Sequence, residues 1–210
     1  MRIAVLGAGG RTGRLVVAEC ERRNHEVVAV TRRTALAGAG PGTRIVSGAV
    51  TDPAVLCAEL AGVDAVISTI PGGDRSDPNL AERTARSLLP AMTDSGVSRL
   101  VITSAYPLVA EQPRLMLWIL RRVLRVPYAD TARMEEVVSG SDLEWTIVRL
   151  NRLTDAPPAG TLDARSTLLP RATRLSRADV AVLLVDQAER STGRCALNVG
   201  GAGRARPRAR

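Results

Sequence analysis

The chain has 210 residues, of which 45% are hydrophobic and 24% charged, a balance typical of a globular domain with its own core and unlike that of a disordered chain. All 29 basic residues are arginine, and the formal net charge is +8. Arginines are spread along the whole chain, however, and aromatic residues make up only 2%, which leaves almost no stacking surface for nucleic-acid bases. The composition therefore predicts no nucleic-acid partner.

Segments of helical and strand character alternate along the chain, which is the pattern of repeated βαβ units. The order, with residue numbers, is strand 2–6, helix 12–23, strand 27–30, strand 44–47, helix 53–61, strand 65–69, helix 79–95, strand 100–103, helix 113–125, helix 130–139, strand 146–150, helix 177–189 and strand 196–199. Stretches 34–43 and 151–166 are rich in Gly, Pro and Ala and are predicted to be loops.

This order predicts an α/β fold, a Rossmann-type doubly wound parallel sheet flanked by helices, in one domain over residues 1–200. The part that follows residue 151 is too short for a second domain, so we expect residues 151–195 to form a small C-terminal substrate cap. Residues 201–210 contain four arginines and are predicted to be a disordered basic tail.

Neither a leader nor a metal site is indicated. The apolar runs are short, and no charged segment with a long apolar stretch precedes the first strand, so we expect no signal peptide, no membrane span and a cytoplasmic location. Cys20, Cys57 and Cys195 are far apart and form no CxxC pair, which favours reduced structural thiols over a metal site.

A glycine-rich turn joins the first strand to the first helix. Its sequence is Gly7-Ala8-Gly9-Gly10-Arg11-Thr12-Gly13, which has the GxxGxxG spacing. Backbone N–H groups and the positive end of a helix meet at such a turn, and the absence of side chains lets a pyrophosphate approach closely. A turn of this kind is weak evidence alone, but its position between a strand and a helix predicts a dinucleotide-binding domain.

The residues after the second strand bear on which dinucleotide is bound. An acidic residue about 20 positions after the glycines usually accepts a hydrogen bond from the ribose 2′-hydroxyl in NAD enzymes. Here the chain has Thr31-Arg32-Arg33. Guanidinium groups pair with a 2′-phosphate, which an acid would repel, so the sequence predicts NADP(H) rather than NAD(H). The alternative is that the two arginines only solvate a loop.

Several segments resemble the atypical short-chain dehydrogenase/reductase group that contains NmrA-like proteins and biliverdin-IXβ/flavin reductases. The segments that carry the resemblance are GAGGRTG at residue 7, NHEVVAVTR at residue 24, GAVTDP at residue 48, VSRLVITSA at residue 97, SDLEWTIVR at residue 141 and LSRADVA at residue 175. They cover most of the chain and are specific for the family, although not for one activity.

The resemblance implies where a nicotinamide cofactor lies. Contacts are expected after each of the main strands, in keeping with ligand binding at the carboxyl ends of strands in open α/β sheets. The residues expected to bind the cofactor are Gly7, Gly9, Gly10, Arg11, Thr12, Gly13, Thr31, Arg32, Arg33, Ala49, Val50, Thr69, Ile70, Pro71, Gly72, Thr103, Ser104, Ala105, Leu150, Asn151, Arg152 and Leu153.

The chain also departs from the family pattern. Ala49 stands where an aspartate commonly helps to hold the adenine, and Leu150-Asn151 replaces a Pro-Gly pair. The Tyr-x-x-x-Lys pair of typical members is absent, because Tyr128 is followed four positions later by Ala132 and the chain has no lysine. Acid catalysis by an activated tyrosinate is therefore not supported.

Three polar residues remain as catalytic candidates. Ser104, at the end of the fifth strand, can donate a hydrogen bond to a developing oxyanion, or it can simply cap the strand end. Tyr106 and Tyr128 are the other candidates, and Arg152 is either a contact for an acidic substrate or an outward-pointing arginine. The apolar helix around 115–120 is too short to span a bilayer and is expected to pack in the core or as a lid, with a membrane-surface or dimer contact as alternatives.

The sequence supports an NADP(H)-dependent reductase of a small, conjugated or aromatic molecule, a monomer or a homodimer. Such a substrate can accept a hydride without a strong protein acid. Two alternatives stay open, namely an NADP(H)-sensing protein without turnover and a non-redox isomerase or cyclase that reuses the pocket. Fold-level analogy does not choose between them.

Overall fold

In the computed structural model, residues 1–160, 162–170 and 173–201 are described. Ten strands and six helices occur in these ranges, and a single 3₁₀ turn follows the fifth strand. The strands are β1 Arg2–Leu6, β2 Glu26–Thr31, β3 Thr43–Ser47, β4 Ala65–Ser68, β5 Arg99–Ala105, β6 Glu144–Leu150, β7 Arg152–Thr154, β8 Leu162–Arg165, β9 Arg174–Ser176 and β10 Cys195–Gly201. The helices are α1 Arg11–Arg22, α2 Pro53–Glu59, α3 Leu80–Asp94, α4 Arg114–Val123, α5 Arg125–Ser139 and α6 Arg177–Glu189.

Eight strands form the central sheet, in the order β3-β2-β1-β4-β5-β6-β10-β8. Every neighbouring pair is parallel except β10 and β8, which are antiparallel. The strand order reverses direction between β1 and β4, and the carboxyl ends of those two strands frame a crevice of the kind in which ligands bind in doubly wound sheets. The predicted fold class is confirmed.

The sheet buries an apolar core on each face because its central strands are hydrophobic on both sides. One core contains Ile3, Val5 and Val16 and lies under α1 and α6. The other contains Leu6, Leu88 and Met134 and lies under α2, α3 and α5. Two-sided burial is the reason that these parallel strands read as continuous apolar runs.

One of the two predicted loops differs from expectation. Residues 34–42 have no regular structure, as expected, but the loop predicted at 151–166 contains β7 and β8. β8 extends the sheet as its antiparallel edge, and β7 pairs with β9 in a separate two-stranded sheet. The segment predicted as a substrate cap also supplies α6, which packs on α1 under the sheet, so most of it builds the core layers and its capping role stays a prediction.

The helices after β5 also differ from the prediction. α5 begins at Arg125 rather than at residue 130, which places Tyr128 on a helix. α4 is not part of the core, because Leu117 is its only buried side chain. None of the helices described is long and apolar enough to cross a membrane. The predicted tail at 201–210 lies, apart from Gly201, outside the described residues.

Candidate active site

The glycine-rich turn is closely packed between β1 and α1. Gly7 has φ +80°, a conformation that favours glycine, and its N–H donates to the Val30 carbonyl at 3.1 Å. A Cβ added to Gly13 would overlap the Gly7 carbonyl oxygen, so glycine is required for the close approach of α1 to the turn. The Gly10 N–H donates back to that same oxygen at 2.9 Å. The turn is therefore held in one conformation by contacts that only glycine permits.

The turn leaves donors at the start of α1. The Arg14 N–H is the first to find a partner in the helix, at 3.1 Å from the Gly10 carbonyl. The N–H groups of Arg11, Thr12 and Gly13 precede it and have no partner within the helix. No acidic residue lies in the first turn. Free N–H groups at the positive end of a helix form an anion site suited to a pyrophosphate.

A cleft of about 410 Å³ opens in front of this turn. It lies at the carboxyl ends of the central strands, where the chain leaves β1, β4, β5 and β6. Its lining residues are Gly10, Arg11, Thr12, Gly13, Thr69, Ile70, Pro71, Gly72, Thr103, Ser104, Ala105, Pro127, Tyr128, Thr131, Leu150, Asn151, Leu153 and Arg177. All except Pro127, Thr131 and Arg177 are residues that the sequence predicts in the site.

The remaining predicted residues are not in that lining. They are Gly7, Gly9, Thr31, Arg32, Arg33, Ala49, Val50, Tyr106 and Arg152. Gly7 and Gly9 belong to the turn itself. Ala49 is exposed just after β3, Val50 packs against the core under α2 and α3, and Arg152 is exposed on β7.

Arg33, the second of the two arginines after β2, lies beside the glycine turn. The Arg33 N–H donates to Thr31 Oγ1 at 3.2 Å, and a Cβ added to Gly9 would lie 3.3 Å from Arg33 Cδ. The Arg33 side chain therefore passes over Gly9. Both arginine side chains are exposed, and neither has a carboxylate within 4.0 Å in the described ranges. Their charge is available to an anion that extends from the cleft across the turn.

Ser104 is held by a charged pair that the sequence analysis missed. Its hydroxyl donates to the carboxylate of Glu135 on α5. Arg149 of β6 pairs with the same carboxylate, with Nη2 2.6 Å from Oε2 and Nε 3.0 Å from Oε1. The Glu135 side chain is 13% exposed and that of Arg149 is 20% exposed, so water screens the pair little.

This arrangement bears on the predicted role of Ser104. The hydroxyl proton is directed at Glu135, so the oxygen presents lone pairs to the cleft. Donation from Ser104 to an oxyanion stays a prediction. In the structure Glu135 lies on α5, next to β5, and Arg149 is opposite Ser104 in the register of β5 and β6. The sequence indicated only that these residues lie on neighbouring elements.

The two tyrosines differ in their relation to the cleft. Tyr128 lines it, and burial raises the pKa of its hydroxyl above the ordinary value of 10, with the nearby Arg121 guanidinium opposing the rise. The Tyr128 hydroxyl is therefore a neutral donor at physiological pH. Tyr106 is 3% exposed, and its hydroxyl donates to the Leu169 carbonyl at 3.2 Å and accepts from the Leu169 N–H at 2.9 Å. The prediction that Tyr106 reaches the pocket is wrong because both functions of its hydroxyl are used in a separate apolar cluster.

Polar contacts fix two walls of the cleft. Asp130 is fully buried on α5, and its carboxylate accepts from the N–H groups of Gly73 at 2.7 Å, Ala81 at 2.8 Å and Glu82 at 3.0 Å. It thereby caps the start of α3 from a distant part of the chain and holds the loop after β4 against α5.

On the opposite wall, Asp155 joins two arginines. Arg177 Nη1 lies 2.6 Å from Asp155 Oδ1, and Arg11 Nη1 lies 3.4 Å from Oδ2. Asn151 is buried there, and its Nδ2 donates to the Val199 carbonyl at 3.0 Å. Arg11 and Arg177 add positive charge on the side of the cleft where α1 begins.

No cluster of three or more His, Cys, Asp or Glu side chains suited to a metal ion occurs within the described part of the chain. The donors and charges of the cleft instead suit an elongated organic anion. Backbone N–H groups lie at one end, arginines flank it, and Ser104 and Tyr128 face the other end. Apolar side chains such as Ile70, Leu150 and Leu153 line the space between.

Comparison with known proteins agrees with this geometry. A family model described as NAD(P)H-binding matches residues 7–191. The fold is similar to a short-chain dehydrogenase/reductase from Veillonella parvula in complex with NADP, at 17% identity over 96% of this chain and 95% of that one, with a TM-score of 0.83. It is also similar to ChuY, an anaerobillin reductase from Escherichia coli O157:H7, at 19% identity over 97% and 98% of the two chains, with a TM-score of 0.79. The oxidoreductase ylbE from Lactococcus lactis matches at 21% identity over 96% and 91%, with a TM-score of 0.81. At these identities the likeness establishes the fold.

Proposed function

The chain belongs to the NAD(P)H-binding family whose model covers residues 7–191, and from that premise we propose that it is an NADP(H)-dependent reductase of a small conjugated or aromatic molecule. The proposal rests on two features that lie next to each other. The first is the set of free N–H groups at the start of α1, and the second is Arg33, which lies over Gly9 of the same turn. A pyrophosphate fits the first feature and a 2′-phosphate fits the second.

The choice of NADP(H) over NAD(H) rests on Arg32 and Arg33. A 2′-phosphate adds negative charge where two guanidinium groups have no carboxylate within 4.0 Å in the described residues. A charge-assisted hydrogen bond contributes about 1.5–3 kcal/mol, which corresponds to roughly tenfold to hundredfold in affinity. The structure in complex with NADP from Veillonella parvula supports the same choice by analogy.

Calorimetric titration with NADPH and NADH tests this step. We expect NADPH to bind more tightly, and Arg33→Ala to weaken NADPH about tenfold to hundredfold while NADH changes less than threefold. Arg190→Ala is the matched control, since it removes one exposed arginine charge at the end of α6, away from the turn. A wild-type preference for NADH, or an equal loss in both variants, would refute the assignment.

The cofactor, when bound, supplies the hydride, and the side chains of the chain position the acceptor. Tyr128 offers a neutral hydroxyl donor, and Ser104 offers lone pairs whose direction is set by Glu135. No lysine is present to lower the pKa of the tyrosine. A substrate that takes up a hydride into a conjugated system places little demand on a protein acid, so the site suits that class of acceptor better than a simple ketone.

Turnover is tested by NADPH oxidation with a panel of flavins, quinones, linear tetrapyrroles and enones. We expect at least one class to be reduced, with kcat lowered about tenfold or more in Tyr128→Phe and KM raised in Ser104→Ala. Tyr106→Phe is the control for a tyrosine outside the cleft and should leave the kinetics unchanged. Tight NADPH binding with no oxidation across the panel would overturn the reductase assignment in favour of a sensing or non-redox role.

A further inference from the structure

α4 exposes most of its apolar side chains. Leu115 is 72% exposed, Met116 61%, Trp118 66%, Ile119 50% and Val123 73%. The described residues contain nine exposed large hydrophobic side chains, and these five fall within ten consecutive positions. Such clustering exceeds the isolated exposed apolar residues of an ordinary surface. We refer to these five side chains as the α4 face.

The α4 face lies on the outer side of the helix. At about 100° per residue the five side chains occupy an arc of about 160°. Leu117 projects in the opposite direction and packs with Tyr106 and Ala110. The helix is thus attached to the protein by one side, and its other apolar side has no intramolecular partner in the described part of the chain.

Arginines lie beside and within the α4 face. Arg114 begins the helix, Arg122 projects between the side chains of Trp118 and Leu115 on the helical wheel, and Arg125 begins α5. All three are exposed, and none has a carboxylate within 4.0 Å among residues 1–160, 162–170 and 173–201. Arg121 differs, because it donates to the carbonyls of Pro107, Leu108 and Ala110. The face therefore joins exposed apolar side chains to unpaired positive charge.

We propose that the α4 face binds the surface of a membrane that contains anionic lipids, with α4 lying in the plane of the interface. Apolar side chains with a tryptophan on one side and arginines beside them are the features of interfacial helices. Arginine side chains reach phosphate groups while their alkyl parts stay in the apolar layer. A second copy of the chain fits this face poorly, because a twofold contact would bring the Arg114 and Arg122 side chains of both copies together, with Glu111 as the one acidic residue that lines the same groove.

Vesicle sedimentation of the full-length chain tests the proposal. We expect the wild type to sediment with vesicles of equal phosphatidylglycerol and phosphatidylcholine, and to bind pure phosphatidylcholine at least tenfold more weakly. Binding to the anionic vesicles should fall as salt rises. Trp118 emission should shift to the blue on binding, and Trp118→Phe should remove that shift.

The matched variants are Val123→Glu on α4 and Val182→Glu on α6. Both replace an exposed valine, 73% and 39% exposed, with the same charge, and both keep the arginine-rich segment 202–210. Val123→Glu should lower the affinity for anionic vesicles at least tenfold, whereas Val182→Glu should change it less than threefold. Arg122→Gln should weaken anionic binding without a change in circular dichroism.

Two kinds of result would overturn the proposal, one from sedimentation and one from light scattering. One is wild-type protein that stays in the supernatant with anionic vesicles at millimolar lipid, or Val123→Glu that binds as the wild type does. The other is light scattering that shows a dimer which Val123→Glu dissociates, since the face would then be covered by a second copy. Neither result depends on NADPH oxidation, so the proposal stands or falls separately from the reductase assignment.

Discussion

Replacing Gly13 with alanine probes the contact on which the glycine turn depends. A Cβ at this position overlaps the Gly7 carbonyl oxygen and stands 2.8 Å from the Gly7 carbonyl carbon and 2.9 Å from Ala8 Cα. All three are backbone atoms, and ordinary carbon contacts are about 3.5–4.0 Å, so the turn must move by roughly 0.5–1 Å. Rotation of a side chain cannot relieve the overlap.

The magnitude follows from two opposing effects. Overpacking of this kind costs about 1–3 kcal/mol, whereas alanine in place of glycine within a helix contributes about 1 kcal/mol of stability. We expect a net loss of up to about 2 kcal/mol, which lowers the melting temperature of a chain of this size by up to about 4–8 °C. Displacement of the N–H groups of the turn should also weaken NADPH about tenfold to hundredfold.

Thermal unfolding and calorimetric titration of three variants separate the causes. Gly10→Ala places a Cβ 3.2 Å from the Gly7 carbonyl oxygen, and the backbone angles of Gly10 are ordinary for alanine. The stability change should therefore stay below about 1 kcal/mol, whereas NADPH binding should weaken. Gly140→Ala, which meets only an ordinary contact at 3.4 Å, should change neither property. If Gly13→Ala is more stable than the wild type, helix propensity outweighs the clash and the argument for a rigid turn is refuted.

Three further predictions concern residues away from the turn. A hydrogen bond from Arg22 lowers the pKa of Glu19 from 4.5 to about 2 against the opposing effect of burial. Roughly 3 kcal/mol of stability is therefore present above pH 4.5 and lost as the pH falls towards 2. In urea unfolding, Glu19→Gln should lose most of this pH dependence of stability, and an unchanged acid profile of the variant would contradict the prediction. Asp130→Ala leaves two buried N–H groups and one partly buried N–H group without their acceptor and should cost about 3 kcal/mol or more in the same assay. A loss below about 1 kcal/mol would show that water replaces the carboxylate. Burial raises the pKa of Cys20 to about 12. A thiol reagent at pH 8 should therefore label exposed Cys57 quickly and Cys20 only after unfolding. Early labelling of Cys20, detected by mass spectrometry, would disprove its burial.

Local patterns in the sequence were sufficient for the parallel sheet and for much of the site. Each of the seven predicted strands is present, because a strand buried on both faces is marked by its own apolar run and by the turn residues that bound it. The glycine turn and the arginines after β2 were equally visible, since a tight turn between a strand and a helix needs glycine at defined positions. In a parallel sheet the carboxyl ends of the strands also lie at the same edge. For this reason fifteen of the predicted residues line the cleft.

The tertiary structure alone decided what those residues face. The proton of Ser104 is directed at Glu135, 31 positions later, and Asp130 caps a helix that begins 50 positions earlier, and neither pairing leaves a periodic signal. In the sequence Tyr128 was less securely placed than Tyr106. In the structure the Tyr106 hydroxyl is bonded to Leu169, and the early start of α5 places Tyr128 at the cleft. Edge strand β8 was not predicted, and the outward α4 face was predicted only as an alternative to packing in the core or as a lid, both for the same physical reason. Short-range patterns reveal that a side chain is apolar or polar, whereas its partner depends on long-range contacts that form only when the chain is folded.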